Sequence, residues 1–133
     1  MVSQSPTFSI TYASKKGNSA IAELPFASMK DMVVGTSYEL SLVIASKETM
    51  RTLNRTYRQK DCATDILSFP FDASHGEIFI NLEETKKEAK KFGREFKNFV
   101  GFLFIHGLVH LKGFKHGSTM EREERKVRKL FGV

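Results

Sequence analysis

The stretch FKNFVGFLFIHGLVHL, residues 96–111, is apolar on nearly every side and predicts the element around which the rest of the chain packs. A helical segment without a polar face is covered by other elements, so we expect a buried central helix here. Gly113 is placed to end it, because glycine readily adopts the left-handed conformation that closes many helices. The segment does not predict a membrane span. Two histidines interrupt the apolar run, and the run is shorter than the length of about 18 residues that a span requires.

Helices and short strands alternate on the N-terminal side of this segment. Sequence patterns predict strands at Thr7–Tyr12, 38–44, Ile66–Phe69 (closed by Pro70) and Glu77–Ile80. Helices are predicted at about 25–34, after caps at Ser46 and Asn81, and from Ser118. The side chains predicted to face the core are Met50, Leu53 and Tyr57, then Leu82, Thr85, Ala89 and Phe92, then Met120, Val127, Leu130 and Phe131. This order predicts an α/β (α+β) fold with a short mixed sheet of about four strands packed with helices.

Composition bounds the class of protein. The chain has 133 residues, 41% of them apolar and 27% charged, which is typical of one globular domain over residues 1–133. The single cysteine, Cys62, cannot form an internal disulfide and receives no role. The N-terminal residues lack the pattern of a signal peptide, so we expect a cytoplasmic protein.

The net charge of +6 is unevenly distributed along the chain. Residues 1–83 carry −1 and residues 84–133 carry +7. A basic half on a small domain favours a polyanionic partner, nucleic acid before a membrane surface. Charge alone favours solvated helix faces, because many of these lysines alternate with glutamates at helical spacing, so this feature counts only beside other signals for nucleic acid.

Three histidines follow a metal-ligand spacing. His106 and His110 are four residues apart, which places both rings on one helix face, one turn apart. His116 comes three residues after Gly113, where the chain can turn back toward the first two rings. These offsets match the zinc-binding pattern H-E-x-x-H-x-x-G-x-x-H. Three imidazoles leave the fourth position of a tetrahedral Zn²⁺ open, as catalytic sites require, so we predict a metal site here.

Gly107 separates this segment from the peptidases that share the spacing. In those enzymes the residue after the first histidine is the glutamate that serves as general base. A glycine offers no carboxylate. The sequence therefore argues against a peptidase, because the most characteristic position of the peptidase motif lacks its general base.

A basic helix precedes the predicted loop at Lys60–Thr64. Arg51, Arg55 and Arg58 share one face of it, and we expect the first two to be solvated. Arg58 lies at the helix end, where its guanidinium could hold a phosphate in bidentate fashion, and Lys60 extends the basic side into the loop. The fourth histidine, His75, falls outside the metal spacing in a turn-rich loop and is expected at the surface.

Four segments together resemble the YbeY family of bacterial endoribonucleases. They are LNRTYRQKD at 53–61, TDILSFPFD at 64–72, GEIFIN at 76–81 and HGLVHLKGFKH at 106–116. The resemblance runs in order over about residues 38–130, and the histidine motif becomes specific once SFPF accompanies it. Three positions depart from the usual family pattern without removing a ligand: Ala63 stands for Pro, and Glu77 and Lys115 each stand for Asp.

The resemblance implies a fold, a cofactor and a substrate. It implies a single α/β domain with a zincin-like core, and one divalent metal ion, usually Zn²⁺, on His106, His110 and His116. The family's functional arginine falls on Arg58. Members are single-strand-specific endoribonucleases in 16S rRNA 3′-end maturation and ribosome quality control. Single-stranded RNA, especially rRNA, and the small ribosomal subunit are therefore the expected partners, and no membrane is expected.

Two other functions remain open from the sequence. A zinc-dependent peptidase is favoured by the histidine spacing and opposed by Gly107 and the basic charge. A non-catalytic, ribosome-associated RNA-binding module with a structural metal is opposed by the open position that three ligands leave. Three imidazoles also accept Ni²⁺ and Mn²⁺. The nucleophile, the general base, the cleavage sequence and the oligomeric state are not encoded in any motif.

Overall fold

One mixed sheet organises the protein. The computed structural model describes residues 6–13, 18–62, 64–115 and 117–133. Its strands are β1 (Phe8–Tyr12), β2 (Glu39–Ile44), β3 (Ile66–Asp72) and β4 (His75–Ile80). They lie in the order β1-β2-β4-β3, with β1, β2 and β4 parallel and β3 antiparallel to β4. Strands β1 and β3 are therefore the two edges of the sheet, and the four-stranded mixed sheet that we predicted is confirmed.

Six helices occur in the described part of the chain. They are α1 (Asn18–Ile21), α2 (Phe26–Val34), α3 (Lys47–Arg58), α4 (Leu82–Lys91), α5 (Phe96–Leu111) and α6 (Ser118–Phe131). The Ser46 hydroxyl accepts from the amide of Thr49 at 3.2 Å, and the Asn81 side chain accepts from the amide of Glu84 at 2.8 Å. Both predicted N-caps are thus formed. No helix of the described ranges is long and apolar enough to cross a membrane.

Helix α5 is the buried central helix. Ten of its 16 residues are buried, and Gly113 follows it with a φ of 106°, in the left-handed region that favours glycine. It packs between one face of the sheet and helices α2, α4 and α6. The side chains of β2 and β4 at Leu42, Ile44, Ile78 and Ile80 are fully buried beneath it. Burial of this kind supplies about 25 cal/mol per Å² of apolar surface and holds α5 against the sheet.

A smaller apolar cluster lies where α3 meets the sheet. Met50 is fully buried there with Leu67 of β3, and Leu53 packs beside them. This cluster attaches α3 to β3, so the C-terminal end of α3 lies next to the edge of the sheet.

Several sequence predictions about individual residues are wrong. Pro70 does not close β3, which continues to Asp72, because an edge strand tolerates a residue without an N–H and absorbs it with a bulge between Pro70 and Asp72. Tyr57, Phe92 and Leu130 were predicted to face the core and are 65%, 67% and 62% exposed. Tyr57 and Leu130 lie near helix ends and Phe92 follows α4, where the chain has passed beyond the packed surface. The structure also contains α1, which no pattern predicted, and begins β4 at His75 rather than at Glu77.

Candidate active site

Two histidine rings meet on one face of α5. The ring centroids of His106 and His110 are 4.8 Å apart, with the ring planes at 89°. Both residues are half-buried, and both line one cavity of about 720 Å³ beside β3. The spacing of one helical turn therefore places the rings side by side, as the periodicity of the helix dictates.

A buried carboxylate orients the first of these rings. Nδ1 of His106 lies 3.0 Å from Oε1 of Glu124, a residue of α6 that is 5% exposed. When Nδ1–H donates to a carboxylate, the lone pair resides on Nε2, and this is the arrangement that fixes histidines as metal ligands. Glu124 is not among the residues predicted from the sequence. Its signal was a charge within the apolar stripe of α6, between Met120 and Val127.

The third predicted ligand, His116, lies outside the described residues. Within the described ranges, no group of three or more His, Cys, Asp or Glu side chains is arranged to hold a metal ion. The donor set that the structure does place is two imidazoles on one cavity wall, one of them hydrogen-bonded to a carboxylate. This chemistry suits a divalent transition metal.

Gly107 is required by packing as well as lacking a carboxylate. A Cβ atom built there would come within 2.9 Å of the Ser68 Oγ and within 3.1 Å of the Cδ1 atoms of Ile66 and Ile78. Position 107 therefore faces the sheet, where α5 approaches β3 and β4 too closely for a longer side chain. A glutamate base at this position would require these neighbouring side chains to shift, which adds to the case against a peptidase.

Arg58 is held at the end of α3 by a buried asparagine. Asn54 is 3% exposed, and its backbone carbonyl and side-chain amide hold the chain that follows the helix. The amide of Lys60 donates to the Asn54 carbonyl at 3.2 Å, and Nδ2 of Asn54 donates to the carbonyl of Cys62 at 3.0 Å. Gln59 turns the chain with a φ of 58°. Arg58, directly before this turn, lines the same cavity as His106 and His110.

The other two arginines of α3 are engaged elsewhere. Nε and an Nη atom of Arg51 donate to the Asp61 carboxylate at 2.8 and 3.1 Å, and Arg55 lies 3.6 Å from the same group. The hydrogen bond from Arg51 holds the pKa of Asp61 below its ordinary value. Among the described residues, no carboxylate forms an ion pair with Arg58. Lys60 is exposed in the loop and is not among the described residues that line the cavity.

His106 stands between two cavities of opposite charge. The first, which we call the β3 cleft, has among its lining residues Tyr57, Arg58, Ser68, Phe69, His106 and His110. The second, which we call the acidic cavity, measures about 600 Å³ and includes Asp65, Phe102, His106, Glu121, Glu124 and Arg128. Burial raises the pKa of Asp65, and burial lowers the pKa of Arg128, whose guanidinium stacks on Phe102 at 4.6 Å. The described lining of the β3 cleft contains no acidic residue.

His75 lies apart from this site. Its Nδ1 is 2.8 Å from the Asp72 carboxylate, and its Nε2 contacts Glu39. The hydrogen bond with Asp72 raises the pKa of His75 above its ordinary value. The surface position expected for this histidine is confirmed, although it begins β4 rather than lying in a loop.

Comparison with known proteins decides the family. The sequence model of the family described as Endoribonuclease YbeY matches residues 7–131, nearly the whole chain. The chain belongs to the YbeY family. The YbeY match includes the N-terminal strand–helix–strand segment, which the motif resemblance over residues 38–130 did not reach.

Individual YbeY relatives agree with this assignment. An Endoribonuclease YbeY from Alkaliphilus metalliredigens is 37% identical over 102 residues, which cover 68% of this chain and 66%, just under two thirds, of that protein. An Endoribonuclease YbeY from Helicobacter pylori is 35% identical over 119 residues, 85% of each chain. The solution structure of TM1509 from Thermotoga maritima has a TM-score of 0.64 at 22% identity and covers 94% of this chain and 89% of that one, which shows a shared fold.

Proposed function

We propose that this chain is a metal-dependent endoribonuclease that cleaves single-stranded RNA in the β3 cleft. The observation that carries the proposal is that three residues line one cavity: His106, whose ring Glu124 orients, His110, and Arg58, which has no ionic partner among the described residues. The described lining of this cavity contains no acidic residue. Membership of the YbeY family supports the same reaction. The alternatives lose support, since Gly107 supplies no carboxylate to act as a peptidase base and the relatives carry the name of an enzyme.

The histidines are proposed as the metal ligands. His106 and His110 would hold the ion together with His116, and we propose Zn²⁺ because the family resemblance implies it and imidazole nitrogen suits it. When bound, a divalent ion supplies a Lewis acid that polarises a phosphoryl oxygen. The part of Glu124 is to fix the tautomer and the orientation of the His106 ring.

Arg58 is proposed to bind the scissile phosphate. A guanidinium offers two parallel N–H donors to phosphate oxygens and offsets the charge that develops on them in the transition state. Its position at the end of α3, fixed through Asn54, aims it into the cleft without a competing carboxylate. Lys60 would contact the RNA backbone outside the cleft, as a solvated point charge.

The basic half of the chain is proposed to attract the RNA backbone. Exposed lysines of α4 and exposed basic residues of α6 flank α5; they are Lys86, Lys87, Lys90, Lys91, Arg122, Arg125, Lys126 and Lys129. Attraction of this kind is independent of sequence and weakens with salt. The substrate proposed from the family resemblance is the 3′ end of 16S rRNA, on the small ribosomal subunit in the cytoplasm.

A cleavage assay with matched substrates tests the function. Zinc-loaded protein is incubated with end-labelled single-stranded RNA, with the same sequence as a duplex, and with an unfolded protein, each with and without a chelator. We expect cuts within the single strand only, lost with chelator and restored by Zn²⁺. Digestion of the unfolded protein with intact RNA would instead establish a peptidase, and intact RNA and protein under all conditions would establish a non-catalytic role.

A further inference from the structure

The ring of Tyr57 is the exposed aromatic group at the mouth of the β3 cleft. The residue is 65% exposed although its helix could have turned it toward the apolar cluster between α3 and the sheet. It lines the same cavity as Arg58, His106 and His110. A single exposed aromatic residue is common on protein surfaces. A role for Tyr57 therefore depends on the residues that surround it.

The Tyr57 ring is supported from beneath by a row of phenylalanines. Its centroid lies 5.3 Å from that of Phe69, with the planes at 62°, and Phe69 lies 5.8 Å from Phe79 at 77°. Edge-to-face contacts of this kind orient aromatic rings. They hold the Tyr57 ring in place, and the residue stays 65% exposed while lining the cavity.

Arg58, the residue that follows Tyr57, supplies the charge that an aromatic platform for nucleic acid requires. Proteins that bind single strands combine cationic groups along the backbone with aromatic rings on which bases stack. We propose that Tyr57, backed by Phe69, is a stacking subsite for a nucleobase adjacent to the phosphate that Arg58 binds. This inference rests on the proposed function for its choice of RNA, and it assigns a new role to a residue outside the metal site. A paired base has no exposed face, so the subsite selects unpaired nucleotides.

Tryptophan substitution gives a direct readout, because the chain contains no tryptophan. In Tyr57→Trp the new indole is the single tryptophan, and stacking with a base quenches its fluorescence. Titrated with single-stranded RNA in the presence of a chelator, which prevents cleavage, Tyr57→Trp should be quenched in a saturable manner. Met32→Trp is the control, since Met32 is 56% exposed on α2, apart from the basic residues of α4 and α6, and is not among the described residues that line the cleft. Equal quenching of the two variants, or none in Tyr57→Trp, would overturn the proposal.

Binding measurements separate stacking from charge. Tyr57→Ala should weaken binding of single-stranded RNA about fivefold to a hundredfold, the range reported by alanine substitution for one stacked base. Its salt dependence should be unchanged, whereas Arg58→Ala should reduce the salt slope by about 0.7. Tyr57→Phe should bind like the unsubstituted protein, because the ring face is retained. Binding by Tyr57→Ala that equals that of the unsubstituted protein contradicts the subsite.

These results are independent of cleavage. If the protein binds RNA through Tyr57 but does not cut it, the subsite stands and the endoribonuclease proposal fails. If it cuts RNA and the Tyr57 variants bind normally, the proposed function stands and the subsite fails.

Discussion

The two cavities that share His106 differ in charge. On one side, the β3 cleft presents Arg58, aromatic rings and no acidic residue among its described lining; on the other, the acidic cavity presents Asp65, Glu121 and Glu124. A polyanion is attracted to the first and repelled by the second. The difference gives one histidine two surroundings: on the acidic side Glu124 orients its ring, and on the other side it lines the cleft proposed to receive the substrate.

The largest expected effect comes from removing the rings themselves. The His106→Ala/His110→Ala double variant should lose bound metal and all detectable RNA cleavage, because two of the three proposed ligands are gone. Elemental analysis of purified protein gives the metal content, which should be close to one equivalent before substitution. His75→Ala is the matched control, since His75 lies outside the cleft, and it should keep both metal and activity. A double variant that retains a full equivalent of metal would contradict the ligand assignment.

Removal of the Arg58 guanidinium from the β3 cleft should lower the rate of RNA cleavage and leave the folding of the protein intact. Arg58→Ala should reduce cleavage by about 10²-fold, comparable to the loss of one transition-state donor. Arg58 is exposed, so the free energy of unfolding should change by under about 1 kcal/mol. Arg58→Lys should restore activity only in part, because an ammonium cannot form the planar two-donor contact.

The control for Arg58 follows from the contacts of α3. Arg51 is unsuitable, since its two hydrogen bonds to Asp61 hold the loop after the helix. Arg55, at 3.6 Å from the same carboxylate, is the better same-helix control, and Arg55→Ala should retain most activity. Rates that fall equally in both variants would show that general charge, rather than a contact in the cleft, supports cleavage.

On the acidic side, Glu124→Gln should weaken metal binding without abolishing it. Loss of a carboxylate that orients a ligand histidine typically costs about 10- to 100-fold in metal affinity. Competition with a chromophoric chelator measures this affinity. Glu121→Gln is the control, because Glu121 lines the same cavity but is exposed and no hydrogen bond joins it to His106 in the described contacts. Equal affinities of the two variants would leave Glu124 with a purely structural role.

The smallest effect concerns His75, remote from both cavities. Its pKa is raised by Asp72 in the folded protein, so its contribution to stability is full below the ordinary value of 6.5 and is lost as the pH rises through the folded value. The hydrogen bond with His75 also lowers the pKa of Asp72. The contribution of Asp72 to stability is therefore lost as the pH falls. Thermal unfolding of the protein and of His75→Gln should therefore differ most near pH 6 and converge at alkaline pH. A difference that grows with pH would contradict this sign.

Sequence periodicity could predict the elements in which apolar residues follow a strong pattern. Helix α5 and the four strands follow from runs of apolar residues, and the caps at Ser46 and Asn81 follow from local hydrogen bonding. The extension of β3 beyond Pro70 could not be predicted, because it depends on β3 being an edge strand, a property of the sheet and not of the segment.

The parts of the candidate site that could be predicted are those that depend on residues close together along the chain. The pairing of His106 and His110 follows from helical spacing, and Arg58 was placed by its position at a helix end. Glu124 and Asn54 were missed, because each acts through contacts with a different segment of the chain. Tyr57 was assigned to the core, since the helical pattern does not reveal where the packed surface ends.

The proline and the bulge in β3 bear on how copies of this protein meet. An open sheet edge offers unpaired N–H and C=O groups to the strands of other molecules, and such edges promote aggregation. At the cleft, β3 interrupts that row with Pro70, which has no N–H to donate, and with the irregular step between Pro70 and Asp72. The wall of the cleft is thereby a poor template for another strand, so pairing of a second β-strand is disfavoured along the surface proposed to receive RNA.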